Sequence, residues 1–375
     1  MQEMEGVGFH KAPALFSESI GEVLNLSGWV IPNKSLIHLH EFSSLDDIDL
    51  SADGSLILRV IISSVYAAVC AVGLVGNLLV ICLMKTKLGK RRRKRSAINF
   101  FVVNLAVTDF QFVLTLPFWA ADAALDFSWP FGNAMCKIVL SVTVMNMYAS
   151  VFFLTAMSVS RYWSVAFCVK GSGARRRFTS VKRACAALWV LASLATAPTS
   201  AFSTVTVVAG ERLCLLRFPD GHHWLALYHL QKVVLAFILP MITLSICNAL
   251  LLRFVRRRIV ANSSRPKRRS NVTKSLVVVV LSFFICWMPN HAITLWGVLV
   301  KFNVVRWDKT YYTVHTYVFP LTVCLAHANS CLNPVLYCLM RREFRKMLRN
   351  LFWRDSLPAV IKARASGGAG NRESA

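Results

Sequence analysis

The chain has 375 residues, of which 55% are apolar and 16% are charged, and its mean hydropathy is +0.51. A soluble domain carries about 25% charged residues, so this balance excludes an ordinary soluble protein, a disordered chain and a small disulfide scaffold. The net charge of +25 would suit a nucleic-acid-binding protein. The charges lie in blocks between long apolar runs, however, and this arrangement excludes that class too.

Seven apolar stretches are each long enough to cross a bilayer, which takes about 20 helical residues. In chain order they are Ile57–Met84, Ala97–Trp119, Cys136–Ser158, Ala184–Phe202, Tyr228–Leu252, Thr273–Val300 and Thr310–Cys338. The first stretch is too long and too late for a cleavable signal peptide. The sequence therefore predicts an all-α membrane protein: a seven-transmembrane helix bundle over residues 57–338, after a largely disordered N-terminal segment, 1–56.

Basic residues fix the predicted orientation, because 33 of the 43 Lys and Arg residues lie in four segments on one side of such a bundle. These segments are 85–95, 161–183, 253–274 and the part of the chain after Cys338. Positive charge is retained in the cytoplasm, so the N-terminus is expected outside the cell and the C-terminus inside, in a multi-pass plasma-membrane protein. The same blocks are expected to contact membrane lipid headgroups.

Glycosylation triplets provide a test of that orientation. Asn25 and Asn33 begin acceptor triplets on the predicted outside, whereas Asn262 and Asn271 begin triplets on the predicted inside. We therefore expect glycans on the first pair alone.

Asp109 is the one acid deep within a predicted span, where a charge costs about 2.5–3.5 kcal/mol. Polar partners on other spans are available to it: Asn77, Asn146, Ser150, Asn329, Ser330 and Asn333. Oxygen ligands around a carboxylate suit a small cation such as sodium, and no other metal or cofactor is expected. The alternative is an aspartate that only connects the helices. The sequence has no paired carboxylates and no nucleophile beside a base, so an enzyme is not predicted.

The long outer loop, residues 203–224, contains two strand-like runs around a turn, Val205–Val208 and Leu213–Leu216. Cys214 lies in the second run, and Cys136 opens the third span on the same side of the membrane. An extracellular disulfide between these two cysteines is the pairing that we predict.

Prolines interrupt several spans and should bend them, because each one removes a backbone hydrogen bond. They are Pro117, Pro198, Pro240, Pro289, Pro320 and Pro334. Bends beside Trp287 and Asn333 would permit the inner halves of two helices to pivot. Ordinary packing is the alternative explanation.

Short motifs, in order along the spans, make the chain resemble the rhodopsin-like (class A) G-protein-coupled receptors. They include Gly76-Asn77, Leu105–Asp109, Trp129–Gly132, Cys136, Arg161-Tyr162, Trp189, Pro240, Cys286–Pro289 and Asn333–Tyr337. The resemblance implies that Arg161 and Tyr162 contact a G protein, that Trp287 and Pro289 act as a toggle, and that Asn333 and Tyr337 repack on activation. Residues 339–353, with the amphipathic stretch Arg342–Phe352, resemble the short eighth helix, and residues 354–375 would form a disordered cytoplasmic tail.

Further motifs resemble the relaxin-3 and insulin-like peptide 5 receptor subfamily of relaxin-family peptide receptors. They are Thr108–Trp119, Met145–Arg161, Arg217–Asp220 and Leu325–Asn333. The resemblance implies a two-chain, insulin-like peptide hormone as ligand and coupling to inhibitory (Gi/o) G proteins.

The predicted outer residues suit such a ligand. The pattern Trp119-x-x-Asp122-x-x-x-Asp126 is expected to put two acids on one helical face, where they could bind arginines of a peptide. Glu211 is a third candidate acid, and Lys232 could bind a peptide carboxylate. The alternative for any one of these residues is a solvated rim charge. The subfamily has glutamate at the position of Asp122.

Two departures from the class leave two functions open. Ser160 stands where an aspartate usually precedes the arginine, and Asn248 replaces a tyrosine expected after Pro240. The chain is therefore predicted to be either a signalling receptor, in which a peptide shifts the population of conformers, or a peptide-binding scavenger that does not signal. A transporter or channel is not favoured, because Asp109 is the one acid within the spans and no inverted repeat is evident.

Overall fold

A computed structural model describes residues 52–90, 97–166, 174–208, 211–219, 222–261 and 267–340, together with Arg345 and Arg349. Among these residues, six helical segments are long and apolar enough to cross a membrane. A seventh helical column, residues 309–340, completes the predicted bundle. Asn25, Asn33, Asn262 and the tail lie outside the described residues, as do the side chain of Asn271 and the predicted eighth helix apart from Arg345 and Arg349.

We number the columns as spans 1 to 7. Span 1 is Ala52–Lys90, span 2 consists of Ala97–Val113 and Leu116–Ala124, span 3 is Gly132–Ala166, and span 4 is Ala174–Phe202. Span 5 runs through His222–Val233, the π-helical turn Val234–Ile238 and Leu239–Ala261, and span 6 is Lys267–Lys301. Span 7 runs through Lys309–Thr313, the π-helical turn Val314–Val318 and Phe319–Met340.

Prolines explain where the helices deviate from regular geometry. In span 2 the first helix ends at Val113 and a new one begins at Leu116, so that Pro117 lies in a first turn, where its missing N–H costs nothing. In span 5 the π-helical turn ends at Ile238, two residues before Pro240. In span 7 it ends at Val318, two residues before Pro320. A π-helical turn is wider than an α-helical turn, so it relieves the crowding between the proline ring and the backbone of the preceding turn. Pro198, Pro289 and Pro334 lie inside continuous helices.

Two glycines let span 1 approach its neighbours closely. A Cβ atom added to Gly73 would lie 2.6 Å from Cγ1 of Val113 in span 2. One added to Gly76 would lie 2.9 Å from two ring carbons of Pro334 in span 7. Contacts this short are below van der Waals distance, so only glycine fits at either position.

The predicted hairpin and disulfide are confirmed. Strands β1, Ser203–Val208, and β2, Glu211–Leu216, pair antiparallel with Val205 opposite Cys214. Strand β2 is longer than the predicted run Leu213–Leu216, because it begins at Glu211. The Cys136–Cys214 disulfide joins β2 to the outer end of span 3, with a Cα–Cα distance of 5.6 Å.

Candidate functional site

Trp119 and Trp129 form an aromatic floor at the outer end of the bundle. Their ring centroids lie 6.2 Å apart. The indole N–H of Trp119 donates to Oγ1 of Thr143 in span 3, at 3.1 Å. Trp129 is fully buried and donates its indole N–H to the carbonyl of Gly132, at 3.0 Å. Trp129 also packs against Cys136, so the aromatic floor and the disulfide form one structure.

Asp122 lies one turn beyond Trp119 in the helix Leu116–Ala124, on the same face. Its side chain is half-buried. An acid and an indole side by side at the mouth can receive a cationic and an apolar group of one ligand. The structure therefore brings this predicted pair together.

The expectation that Asp126 shares this helical face is wrong. The helix ends at Ala124, and both Asp126 and Phe127 take left-handed backbone conformations, with φ of 59° and 61°. The amide of Phe127 donates to the carbonyl of Asp122, at 2.8 Å, which closes the helix end. The turn redirects the Asp126 side chain from the line of Trp119 and Asp122 towards span 1.

Asp126 there meets Arg59, a residue to which the sequence analysis gave no role. One nitrogen of the guanidinium, Nη1, lies 3.5 Å from Oδ1 of Asp126. The other, Nη2, donates to the carbonyl of Ala124, at 2.7 Å. No sequence motif indicated this pair, because its two members are on different spans.

Lys232 and Glu211, the remaining predicted ligand contacts, lie on other elements. The ammonium of Lys232 in span 5 is 5.5 Å from the ring centroid of Tyr228, whose hydroxyl is 2.6 Å from that of Thr199. Glu211 begins β2, and its side chain lies outside the described part of the chain.

His327 is a buried residue that sequence reasoning missed. Its ring centroid lies 4.9 Å from that of Phe112, 5.6 Å from that of Tyr66 and 6.4 Å from that of Trp119. The imidazole thus connects spans 1, 2 and 7 beneath the aromatic floor. A lone histidine in an apolar span was the available signal, but it could not indicate which rings surround it.

Asp109 is the centre of a buried polar network, as predicted. Its Oδ1 atom accepts hydrogen bonds from Nδ2 of Asn146, at 3.0 Å, and from Oγ of Ser150, at 3.3 Å. Its Oδ2 atom accepts one from Nδ2 of Asn333, at 3.0 Å. Ser330 donates to Oδ1 of Asn146, at 3.3 Å. The carboxylate therefore connects spans 2, 3 and 7.

Unpartnered oxygens in the same region fit a small cation. The side-chain carbonyl oxygens of Asn77, Asn329 and Asn333 are buried and accept no hydrogen bond in the structure. Buried carbonyl oxygens ordinarily have a partner, and sodium takes oxygen ligands of this kind. Nδ2 of Asn77 donates to the carbonyls of Gly73 and Ser330, at 2.9 and 3.0 Å, which holds its oxygen in place.

The predicted toggle lies in an aromatic stack in span 6. Trp287 stacks on His291, with ring centroids 5.7 Å apart, and His291 stacks on Phe237 of span 5, at 5.1 Å. Farther along the bundle Arg161 is buried, while Tyr162 is half-buried. Tyr337 belongs to the last helix of span 7, and its side chain lies outside the described part of the chain.

Comparison with known proteins agrees with this architecture. Residues 76–337 match the family model described as 7 transmembrane receptor (rhodopsin family). The chain is 52% identical to Relaxin-3 receptor 1 of Mus musculus over 350 residues, which cover 84% of this chain and 74% of the relative. It is 49% identical to Relaxin-3 receptor 2 of Homo sapiens, over 81% of this chain and 80% of the relative. A type-1 angiotensin II receptor of Xenopus laevis is 31% identical, over 80% of this chain and 81% of the relative.

Proposed function

The chain belongs to the rhodopsin family of seven-transmembrane receptors, and we propose that it is a receptor for a relaxin-3-like peptide hormone that signals through Gi/o proteins to lower cAMP. Membership makes it a G-protein-coupled receptor in the plasma membrane and not an enzyme. The ligand and the G-protein type are proposals. They are supported by the names of relatives about 50% identical and by the outer site.

The observation that carries the ligand proposal is the pair formed by Trp119 and Asp122. The hydrogen bond to Thr143 holds the indole in place, and the half-buried carboxylate lies one helical turn away. A peptide arginine can form a charge-assisted hydrogen bond with Asp122 while a neighbouring apolar side chain packs on Trp119. Lys232, on span 5, can bind a carboxylate of the same peptide.

The basic segments and the disulfide support the proposed orientation. The disulfide-linked hairpin lies at the end of span 3 opposite to Arg161. An oxidising exterior favours that disulfide, and a cytoplasmic interior favours the basic segments. The proposed N-terminus is therefore extracellular and the C-terminus cytoplasmic.

The proposed signalling mechanism is a shift of population. A peptide that binds better to a conformer with span 6 swung outward raises the fraction of receptor in that conformer. A ligand that altered the stack of Trp287, His291 and Phe237 would change the contact between spans 5 and 6. Outward movement of span 6 would expose Arg161 to a helix of the G protein.

A sodium ion bound at Asp109 is a further part of this proposal. Asp109 and Ser150 would provide oxygen ligands, together with the unpartnered side-chain oxygens of Asn77, Asn329 and Asn333. The ion would supply positive charge next to a carboxylate that connects three spans. It would thereby stabilise the arrangement in which those spans are together.

A scavenger with the same ligand site is the second candidate. Ser160 and Asn248 motivate it, because both replace residues that class A receptors use to hold the resting and active states. A scavenger would take up the peptide and leave GTP exchange unchanged. The two candidates share Asp122, and they differ in whether peptide binding activates a G protein.

Substitution of Asp122 by asparagine tests the ligand site. Loss of a charge-assisted hydrogen bond predicts that Asp122→Asn weakens displacement of labelled relaxin-3 by about tenfold or more. The measurement is competition binding on membranes of transfected cells. Asp308→Asn is the matched control, because it removes another outer acid while asparagine can still cap the helix Lys309–Thr313.

The unsubstituted chain tests the hormone and the G protein. Relaxin-3 should lower forskolin-stimulated cAMP in a dose-dependent manner, and pertussis toxin should abolish the effect. Surface expression without relaxin-3 binding would overturn the ligand proposal. Binding without GTP exchange would support the scavenger.

A further inference from the structure

The contact between Arg59 and Asp126 joins span 1 to the turn after span 2. It consists of the 3.5 Å ion pair and of the 2.7 Å hydrogen bond to the carbonyl of Ala124. Ala124 is the last residue of its helix, and a helix C-terminus favours a cation. The guanidinium is therefore held by two partners at once, which fixes its position beside the carboxylate.

Exposure makes this ion pair accessible to a ligand. The side chain of Asp126 is 50% exposed and that of Arg59 is 25% exposed. The amide of Phe127, next to Asp126, donates to the carbonyl of Asp122 at 2.8 Å, so a cationic peptide that reaches Asp122 also approaches Asp126. The carboxylate of Asp126 already has a cationic partner in the receptor, the guanidinium of Arg59.

We propose that Arg59 is an internal competitor that occupies Asp126 and thereby lowers the affinity of the receptor for cationic peptides. The inference rests on the proposed peptide ligand. A peptide arginine gains full use of Asp126 only when the guanidinium of Arg59 moves away, so the observed affinity equals the intrinsic affinity multiplied by the fraction of receptor in which it has moved. An exposed ion pair has a small free energy, which suits a contact that must open on binding.

A buttress is the opposing role for Arg59. In that role the guanidinium would hold the turn in the shape that the ligand needs, and its removal would weaken binding. The competitor and the buttress predict opposite signs for the same substitution. The direction of the change in peptide affinity, as well as its size, therefore decides between the two roles.

The experiment measures the dissociation constant of labelled relaxin-3 on the full chain in cell membranes. Arg59→Met should tighten binding by about two- to fivefold, the range that corresponds to the free energy of an exposed ion pair. The same substitution made in an Asp126→Asn receptor should change the dissociation constant by less than about 1.5-fold, because the competition no longer exists.

Lys137→Met is the matched control for a general effect of charge. The ammonium of Lys137 also donates to a carbonyl near a helix end, that of Ala201, at 3.3 Å. If the loss of any outer cation favoured a cationic peptide, Lys137→Met would tighten binding as much as Arg59→Met. We expect Lys137→Met to change the dissociation constant of relaxin-3 only slightly.

The outcomes separate cleanly. Unchanged or weaker binding by Arg59→Met, or equal tightening in the Asp126→Asn background, overturns the competitor role while the ligand proposal stands. If Arg59→Met does not reach the cell surface, Arg59→Gln keeps an amide that can donate to Ala124, and the same comparison is made. Failure of both variants to reach the surface overturns the competitor role and assigns Arg59 to folding alone. If the unsubstituted chain does not bind relaxin-3, the ligand proposal fails, and the competitor role fails with it.

Discussion

The direction of a single side chain at the receptor mouth depends on two backbone angles. Helical spacing would place Asp122 and Asp126 together, and it does place Trp119 beside Asp122. Asp126 and Phe127, which take the left-handed conformation, are neither the glycine nor the asparagine that usually marks such a helix end. The sequence therefore predicted one acid of the pair correctly and the other incorrectly, and Arg59 became visible only through the fold.

Buried residues of the polar network were easier to predict, because the membrane leaves them few partners. Asp109 had to find donors on other spans, and the nearby Asn and Ser residues were the candidates available. Sequence could not show that the side-chain oxygens of Asn77, Asn329 and Asn333 would remain unpartnered. That detail depends on the relative rotation of the spans.

Replacement of Asp109 tests the sodium proposal. At constant ionic strength, sodium should raise the thermal stability of the solubilised receptor relative to choline, because an ion that binds the folded state stabilises it. Asp109→Asn should remove this difference, whereas Asp308→Asn, which leaves the buried network intact, should retain it. Equal responses of the unsubstituted receptor to sodium and choline would rule out the ion.

Gly76 tests the close approach of spans 1 and 7. Gly76→Ala puts a methyl group 2.9 Å from the ring of Pro334, which cannot move aside easily. Overpacking of this kind costs about 1–3 kcal/mol, so the melting temperature should fall by several degrees. Gly297→Ala is the control, because its methyl group would meet the hydroxyl of Tyr311 at 3.2 Å and needs a smaller shift. Equal melting temperatures for the two variants would contradict the close packing.

At the level of elements, the hairpin and the spans were predicted because their patterns are local. Alternating residues predicted β1 and β2, and long apolar runs predicted the spans. The two π-helical turns before Pro240 and Pro320 were not predicted, because proline signals a bend and does not specify how the backbone absorbs it. The break between Val113 and Leu116 was likewise a finding of the structure.

The disulfide should be essential for the shape of the mouth. Cys136→Ser releases β2 from span 3, and loss of such a bond typically costs about 2–5 kcal/mol in small secreted domains. We expect peptide binding to fall sharply, with a smaller loss of surface expression. Cys82→Ser is the control, because Cys82 is an exposed free cysteine in span 1. Normal binding by Cys136→Ser would show that the hairpin does not need this bond.

At the scale of the whole molecule, charge asymmetry predicts the orientation, and glycans can report it. Substitution of Asn25 and Asn33 by glutamine should remove the mobility shift that glycosidase treatment produces on a gel. Substitution of Asn262 and Asn271 should leave the shift unchanged, because those triplets are predicted to face the cytoplasm. A glycan on the second pair would require the opposite orientation of the bundle.

Three buried contacts join spans 1, 2, 3 and 7. Asn77 bonds to the backbone of span 7, Asp109 bonds to spans 3 and 7, and Gly76 touches Pro334. These contacts join the four spans to one another, and span 6 takes no part in them. An outward movement of span 6 would leave those three contacts intact, so a cytosolic partner that enters beside span 6 would not have to break the hydrogen bonds of Asn77 or Asp109.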